Sequence, residues 1–389
     1  MTLIADTVAE AMTSVLKEPA TLHEPTFAGN EWAYVKDCLD TGWVSTAGKY
    51  VERFEDMLAA FTGAKHVIAT VNGTAALHTA LKLIGVGAGD EVVVPTLTFV
   101  ATANAVTYLG AVPHFADVEE CTLGLDAAKL AGHLDAVADA TNGACRNKDT
   151  GRRIAAVVCM HTFGHPVDLD PLCEVCARFG LPLIEDAAES LGSHYKGRHT
   201  GNHGRLAILS FNGNKTVTTG GGGAILTNDR ALAAEARHLT TTAKTPHQWE
   251  YSHDRAGFNY RLPNLNAALG CAQMEQLPEL LAQKRRLAGA YDAAFAGRNG
   301  VRFFREPAFA RSNYWLNALL LDRDVADERD AVLERTNERQ FMTRPAWTPM
   351  HRLPMYRDCP RMDLSVADDL FRRLINIPSS AHLANGLHD

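Results

Sequence analysis

The chain has 389 residues, 46% of them apolar and 21% charged, with a formal net charge of −7. That is enough apolar material for two or three domains, and the acidic balance excludes the basic footprint that nucleic acid or an anionic membrane surface would demand. Eight cysteines are scattered through apolar segments, Cys159 in VVCM and Cys271 in ALGCAQM among them, as reduced core thiols of a cytoplasmic protein rather than a disulfide framework.

The opening residues, MTLIADTVAEAMTSVLKEP, carry acids and polar groups where a secretory leader needs an unbroken apolar core. Nowhere do about eighteen apolar residues run together as a membrane span requires. A short helix near the N-terminus is followed by helical spacing over residues 31–39 and 50–61, the second placing Phe54, Leu58 and Phe61 on one face. A small-residue loop, 41–48, separates them and carries Trp43. Strand and helix then alternate. Strands are predicted at 66–71, 91–95, 112–117, 154–160 and 182–187, with helices at 73–84, 98–109, 127–138 and 169–179 between and around them. Strands apolar on both faces imply a largely parallel sheet with helices on both sides. Residues 142–153, NGACRNKDTGRR, read as a polar surface loop. After a helix at 231–239, residues 240–263 show no clear period. A long helical pattern, 264–295, is able to bridge two domains. Beyond it, a strand at 315–321, helices at 325–334 and 366–374 and several proline-rich loops form a compact C-terminal domain. The expected division is a large α/β domain over 1–260, of which 1–24 are an N-terminal extension, and a smaller unit over 261–389.

Three features of this pattern carry chemistry. The stretch LSFNGNKTVTTGGGGAIL, residues 209–226, joins two short buried strands by a loop with a single amine, Lys215, and four glycines that permit close backbone approach. Asn72-Gly73-Thr74 follows a strand and opens a helix, so its free amides, glycine and hydroxyl suit a phosphate; the same turn also reads as an ordinary helix cap. In LIEDAAE, Asp186 lands at the C-terminal tip of a buried strand, where open α/β sheets bind ligands. It is placed either to pair with a buried cationic ring nitrogen or to cap the next turn. Pyridoxal phosphate needs all three together: a helix N-terminus for its phosphate, a carboxylate for its pyridinium and a lysine amine for its aldehyde.

Other candidates are weaker. Gly85-Val86-Gly87-Ala88-Gly89 has the spacing of a dinucleotide fingerprint but follows a helix and precedes a strand, so it is a turn. Cys173 and Cys176 share a helix with no second pair, and Phe163-Gly164 argues against the helix that would align His161 with His165, so no metal site is expected. His199 and His203 flank Gly201 in a polar turn and are expected at the surface. No G-x-S-x-G elbow is present.

The segments NGTAALHTAL, LIEDAAESLGSHYKG, SFNGNKTVTTGGGGAILTND and GFNYRLPNLNAALGCAQMEQL, with the run from Gly89 to Val118, resemble the DegT-type nucleotide-sugar aminotransferases, pyridoxal-phosphate enzymes of fold type I. The likeness runs in consistent order from about residue 25 to 378. It is strongest to the branch that makes the 4-amino-sugar precursor of legionaminic acid. The resemblance implies a large domain built on a mostly parallel seven-stranded sheet between helices, plus a smaller α+β domain. It matches Lys215 to the lysine that carries the cofactor and Asp186 to the carboxylate on its ring nitrogen. Gly73, Thr74 and Ala75 match the phosphate-binding turn, aided by Ser210. Phe99 matches the stacked aromatic ring, and Glu189 the position near the 3-hydroxyl. Asn259 matches an asparagine that reaches the neighbouring subunit's cofactor, which implies a homodimer with shared sites, and His351 falls in a segment that approaches the sugar. One departure stands out: the common loop T-T-G-E-G-G has Gly221 in place of its glutamate.

The implied reaction moves an amino group from L-glutamate to the C4 keto group of a nucleotide-linked 4-keto-6-deoxy sugar, the cofactor alternating between pyridoxal and pyridoxamine phosphate and 2-oxoglutarate leaving. Such sugars are precursors of bacterial surface glycans and nonulosonic acids. The expected substrate is UDP-2-acetamido-2,6-dideoxy-4-ketohexose, the alternative GDP-4-keto-6-deoxymannose, aminated to perosamine. A sugar dehydratase on the same scaffold would carry histidine at the position of Lys215, and a non-catalytic cofactor-binding sensor is the remaining reading.

Overall fold

The computed structural model describes residues 4–140 and 144–387; the start of the polar loop expected at 142–153 lies outside the described residues. Strands with no polar face need cover on both sides, and the sheet is built that way. Its strands are β1 (His66–Thr70), β2 (Glu91–Pro95), β3 (Val112–Ala116), β4 (Ile154–Met160), β5 (Leu183–Asp186), β6 (Leu206–Ser210) and β7 (Gly223–Thr227). They form one seven-stranded sheet in the order β1-β7-β6-β5-β4-β2-β3. Only β7 runs against its neighbours, pairing antiparallel with β1 through Ile68 and Ile225 and with β6 through Ile208 and Ile225. The remaining pairs are parallel. The C-terminal tips of six strands and the start of β7 therefore share one edge.

The helices are α1 (Ile4–Val15), α2 (Glu31–Thr41), α3 (Lys49–Thr62), α4 (Gly73–Leu83), α5 (Val100–Thr107), α6 (Ala127–Val137), α7 (Leu169–Arg178), α8 (Arg230–Thr240), α9 (Asn264–Phe295), α10 (Arg329–Glu338) and α11 (Ser365–Arg373). Alternate residues of each strand serve opposite faces. Ile68, Ile208 and Ile225 pack with Leu77 and Leu81 of α4, Val106 of α5 and Ala236 of α8. Val67, Leu209 and Leu226 pack on the other face with Phe54 and Leu58 of α3 and Cys271 of α9, and α6 and α7 continue that layer through Leu130 and Leu172.

The long helix α9 has 32 residues, about 48 Å at helical rise. Its first half joins the sheet's core through Ala267 and Met274, and its second half joins a separate core through Leu287 and Tyr291. That second core belongs to an antiparallel sheet of β8 (Val301–Phe303), β9 (Asn317–Leu321), β10 (Arg344–Pro345) and β11 (Leu374–Ile377), in the order β8-β9-β11-β10. Here the packing departs from the expected division. Ile4, Val8 and Met12 of α1 sit in the same cluster as Tyr291, Val332 and Phe341, so the N-terminal extension goes with the C-terminal unit. The apolar face of α1 joins α9, α10 and the inner face of the small sheet, Leu319 and Ile375 among them. Among the described residues no helix is long and apolar enough to cross a membrane.

Candidate active site

The shared edge of the sheet holds the chemistry. Asn72, extended after β1, caps α4 by accepting the Ala75 amide on Oδ1 at 2.7 Å. The amides of Gly73 and Thr74, in the first turn, have no intrahelical acceptor. Gly73 is glycine for a steric reason, since a Cβ there would stand 2.9 Å from the Ser210 Cβ at the tip of β6. A Cβ at Gly223 would collide with the Asn72 backbone. The helix N-terminus and the Ser210 hydroxyl are thus held against one another as a small polar cradle.

Asp186 ends β5 and is buried. Its Oδ2 accepts from the Thr102 hydroxyl at 2.8 Å and its Oδ1 from the Ala188 amide at 3.2 Å. Burial lifts its carboxyl above the ordinary range, and these two hydrogen bonds only partly oppose that. Lys215 follows β6 on a loop closed by Phe211 and Gly222, and its Nζ lies 3.1 Å from Glu189 Oε1. It also lies 3.7 Å from the centre of the Trp315 ring. The other oxygen of Glu189 accepts the Phe163 amide at 2.9 Å. Burial pushes the Glu189 carboxyl up to about 7 against the pull of Lys215.

Gly73, Thr74, Phe99, Asp186, Glu189, Ser210 and Lys215 line one cavity of about 300 Å³. Three other expected residues lie elsewhere. The Ala75 amide is spent on the Asn72 cap. Asn259 is exposed, outside the cavity, its backbone paired with Thr241. His351 contacts Thr96 Oγ1 at 2.8 Å and Asp368 at 3.3 Å and does not line the cavity.

The cavity also contains residues that the sequence pattern did not single out: Thr102, Met160, Asn214, Trp315 and Trp347. Thr102 and Met160 were legible only as parts of a helix and a strand. Trp315 and Trp347 come from the C-terminal unit, and no local period announces them. Gly221, the departure from the common loop, needs no glycine: the nearest atom to a Cβ there is the Val71 carbonyl oxygen at 4.0 Å.

The expectation of surface histidines at 199 and 203 is overturned. His199 is buried, accepts the Gly192 amide on Nε2 at 2.8 Å, and is pushed down to about 4 by burial. His203 is mostly buried, with Nδ1 3.8 Å from Glu185. The turn folds inward because Glu185 is buried at its centre. That carboxylate accepts amides from Gly201, His203 and Gly204 at 2.7, 2.7 and 2.6 Å. The Val167 amide donates to His161 Nδ1, so His161 Nε2 carries the proton and donates to Glu185 at 3.1 Å. Burial alone would raise the Glu185 carboxyl; the histidines hold it far below the usual range. His165 turns away from His161, between the rings of Phe304 and Tyr314.

The cradle, the buried carboxylate and the lysine fit pyridoxal phosphate in order and in chemical type: N–H and O–H donors for the phosphate, an anion for the pyridinium, an amine for the aldehyde. A seven-stranded sheet of this topology with such an edge defines a pyridoxal-phosphate-dependent aminotransferase of fold type I. The chain belongs to the DegT/DnrJ/EryC1/StrS aminotransferase family, whose profile matches residues 25–387. It is 40% identical over 362 residues to the GDP-perosamine synthase of Caulobacter vibrioides, covering 92% of each chain. It is 35% identical over 364 residues to the GDP-perosamine synthase of Escherichia coli O157:H7, covering 94% of each. Among solved structures it is similar to the aminotransferase TlmJ from Streptoalloteichus hindustanus, with a TM-score of 0.83, 30% identity and coverage of 93% of this chain and 94% of that one.

Proposed function

We propose that the chain transfers the amino group of L-glutamate to the C4 keto group of GDP-4-keto-6-deoxymannose, giving GDP-perosamine. The observation that carries the nucleotide and sugar is the 40% identity, over 92% of both chains, to a GDP-perosamine synthase, joined by further synthases of that name. These relatives favour the GDP-linked alternative over the UDP-linked sugar and the legionaminic-acid branch.

Bound pyridoxal phosphate supplies a ring that takes up the electron pair left when the amino-bearing carbon loses its proton. The chain's own groups do the rest. The amides of Gly73 and Thr74 and the Ser210 hydroxyl would bind the phosphate, where the helix N-terminus favours an anion. Asp186 would keep the ring nitrogen protonated, because a buried anion favours a cation beside it. Lys215, once its amine is free, would take the proton from one carbon and return it to the other. Glu189 lies within hydrogen-bond distance of that amine and would orient it. Phe99, at the cavity mouth, would stack on the ring.

We further propose a homodimer. Phe27, Trp32, Leu39, Trp43, Trp249 and Tyr251 are large apolar side chains left exposed, and a second copy of the chain would cover some of that surface. Asn259, exposed and outside its own cavity, would serve the partner's site. Mixing Lys215→Ala with Asn259→Ala protein should then restore a fraction of the activity that each lacks. The decisive assay supplies purified holoenzyme with L-glutamate and either GDP-4-keto-6-deoxymannose or a UDP-linked 4-keto sugar, and identifies the product by NMR. Amination of the GDP sugar at C4 is the expected result. Turnover of the UDP sugar alone, or a deoxygenated product without nitrogen, would reverse the reading.

A further inference from the structure

Trp315 enters the cavity from the C-terminal unit, and the chemistry above does not use it. Its ring centre is 3.7 Å from Lys215 Nζ, well inside the range at which an ammonium is attracted to the negative face of an indole. Its Nε1 donates to the Asn214 carbonyl at 2.7 Å, so the ring is fastened to the very loop that bears the lysine.

The backbone around it is equally constrained. The Trp315 amide donates to Asn313 Oδ1 at 2.8 Å, and Asn313 Nδ2 donates to the carbonyls of Glu189 and Leu191, each at 2.9 Å. One short segment thus positions the indole and the backbone of Glu189, the two partners of the Lys215 amine. Tyr314, between Asn313 and Trp315, sits at φ +49, a conformation that costs a non-glycine residue free energy and persists only where surrounding contacts impose it. Gly164, at φ +96, leaves room for the Asn313 amide, which any Cβ there would overlap. Behind the indole, buried Lys284 donates to the Trp315 carbonyl at 3.1 Å, the Ser379 carbonyl at 2.6 Å and His23 Nε2 at 3.0 Å. Burial pulls the Lys284 amine down to about 7, and here it binds three distant chain segments at the residue that faces Lys215.

We propose that Trp315 is a positioning residue for Lys215: its indole face holds the lysine's ammonium beside Glu189 whenever the amine is free of cofactor, and so fixes the path along which the proton is carried. This rests on the reading of Lys215 as cofactor carrier and proton carrier, but not on which sugar is aminated. The test uses holoenzyme and glutamate alone. Stopped-flow decay of the visible cofactor band gives the maximal rate and the apparent Kd for glutamate, and circular dichroism of that band reports the cofactor's tilt. Trp315→Met should slow the maximal rate by about ten- to thirtyfold, weaken the dichroism, and leave cofactor content unchanged and the glutamate Kd within about twofold. Trp315→Phe should recover the rate to within about threefold of wild type, since Phe also presents a π face. Should Trp315→Met fail to fold, site-specific mono-, di- and trifluorotryptophan at 315 keep the shape while draining the ring's negative face, and the rate should fall with each added fluorine. A flat fluorine series, a loss confined to Kd, or equal losses for Met and Phe would overturn the role of Trp315 while the cofactor band stays normal. A wild-type band no different from that of Lys215→Ala would instead overturn the underlying reading, and this inference with it.

Discussion

Glu189→Gln in the cofactor-free protein isolates the cost of the buried carboxylate beside Lys215. Burial raises the Glu189 carboxyl from its ordinary 4.5 to about 7, a difference of about 2.5 units, or about 3 kcal/mol at 1.36 kcal/mol per unit. The side chain is 2% exposed, so solvent screening does not reduce this figure much. The attraction of Lys215 is already inside it, since that contact opposes the upward push. The folded chain holds this proton more tightly than the unfolded chain. Below pH 4.5 both states are protonated and the group costs nothing. The cost accumulates as pH rises from 4.5 to 7, where only the folded state keeps its proton, and is constant above. Glutamine carries no such charge and still offers an oxygen to the Phe163 amide. The two proteins should therefore melt together near pH 4.5. By pH 8 the Gln variant should be more stable by about 3 kcal/mol, which at about 2.1 cal/mol/K per residue is about 4 °C in Tm. Scanning fluorimetry of both apoproteins from pH 4.5 to 8.5 measures the gap. Melting curves that stay parallel across the range, or a wild type more stable at pH 8, would refute the argument.

Lys215→Ala should lose the visible cofactor band and reduce turnover by about a thousandfold or more, read by absorbance and product formation; retention of both would remove Lys215 from the chemistry. Gly73→Ala puts a methyl 2.9 Å from the Ser210 Cβ, so it should weaken cofactor affinity by about tenfold or more, measured by equilibrium titration of the apoprotein. Affinity equal to wild type would show that this turn is not the phosphate cradle. Gly221→Glu brings its Cβ no nearer than 4.0 Å to another atom, the Val71 carbonyl oxygen, and should change Tm by about 1 °C or less; a larger loss would mean that the glycine is required by the loop itself.

The sheet was legible because its strands are short, apolar on both faces and separated by helices with a clear 3.6 period; β4 is buried at every residue. The edge chemistry was legible for a related reason. Asp186 ends a strand, Gly73 opens the helix that follows one, and Lys215 lies on the loop that leaves β6 at Ser210, so local sequence locates all three at the sheet edge. The part that was not legible is set by long-range packing. His199 and His203 look like a polar turn until Glu185 is seen to draw three amides inward. The N-terminal extension looks like an addition to the first domain, but its apolar stripe is complementary to α9 and α10. Trp315 and Trp347 are ordinary aromatic residues of a small α+β unit until α9 carries that unit back across the cavity.

The three carboxylates within residues 185–189 show how the same side-chain chemistry acquires different tasks from its surroundings. Glu185 accepts three backbone amides and a histidine; its oxygens are fully occupied and it can offer nothing to a ligand. Glu189 accepts one amide and faces the Lys215 amine, so its charge answers the state of that one lysine. Asp186 accepts only a hydroxyl and one amide, and burial makes its charge costly as it stands. A buried anion so sparsely compensated gains most from a cation placed beside it. The cavity opens on Asp186, and a protonated pyridine ring held there would supply that cation while receiving from it the charge stabilisation that its chemistry requires.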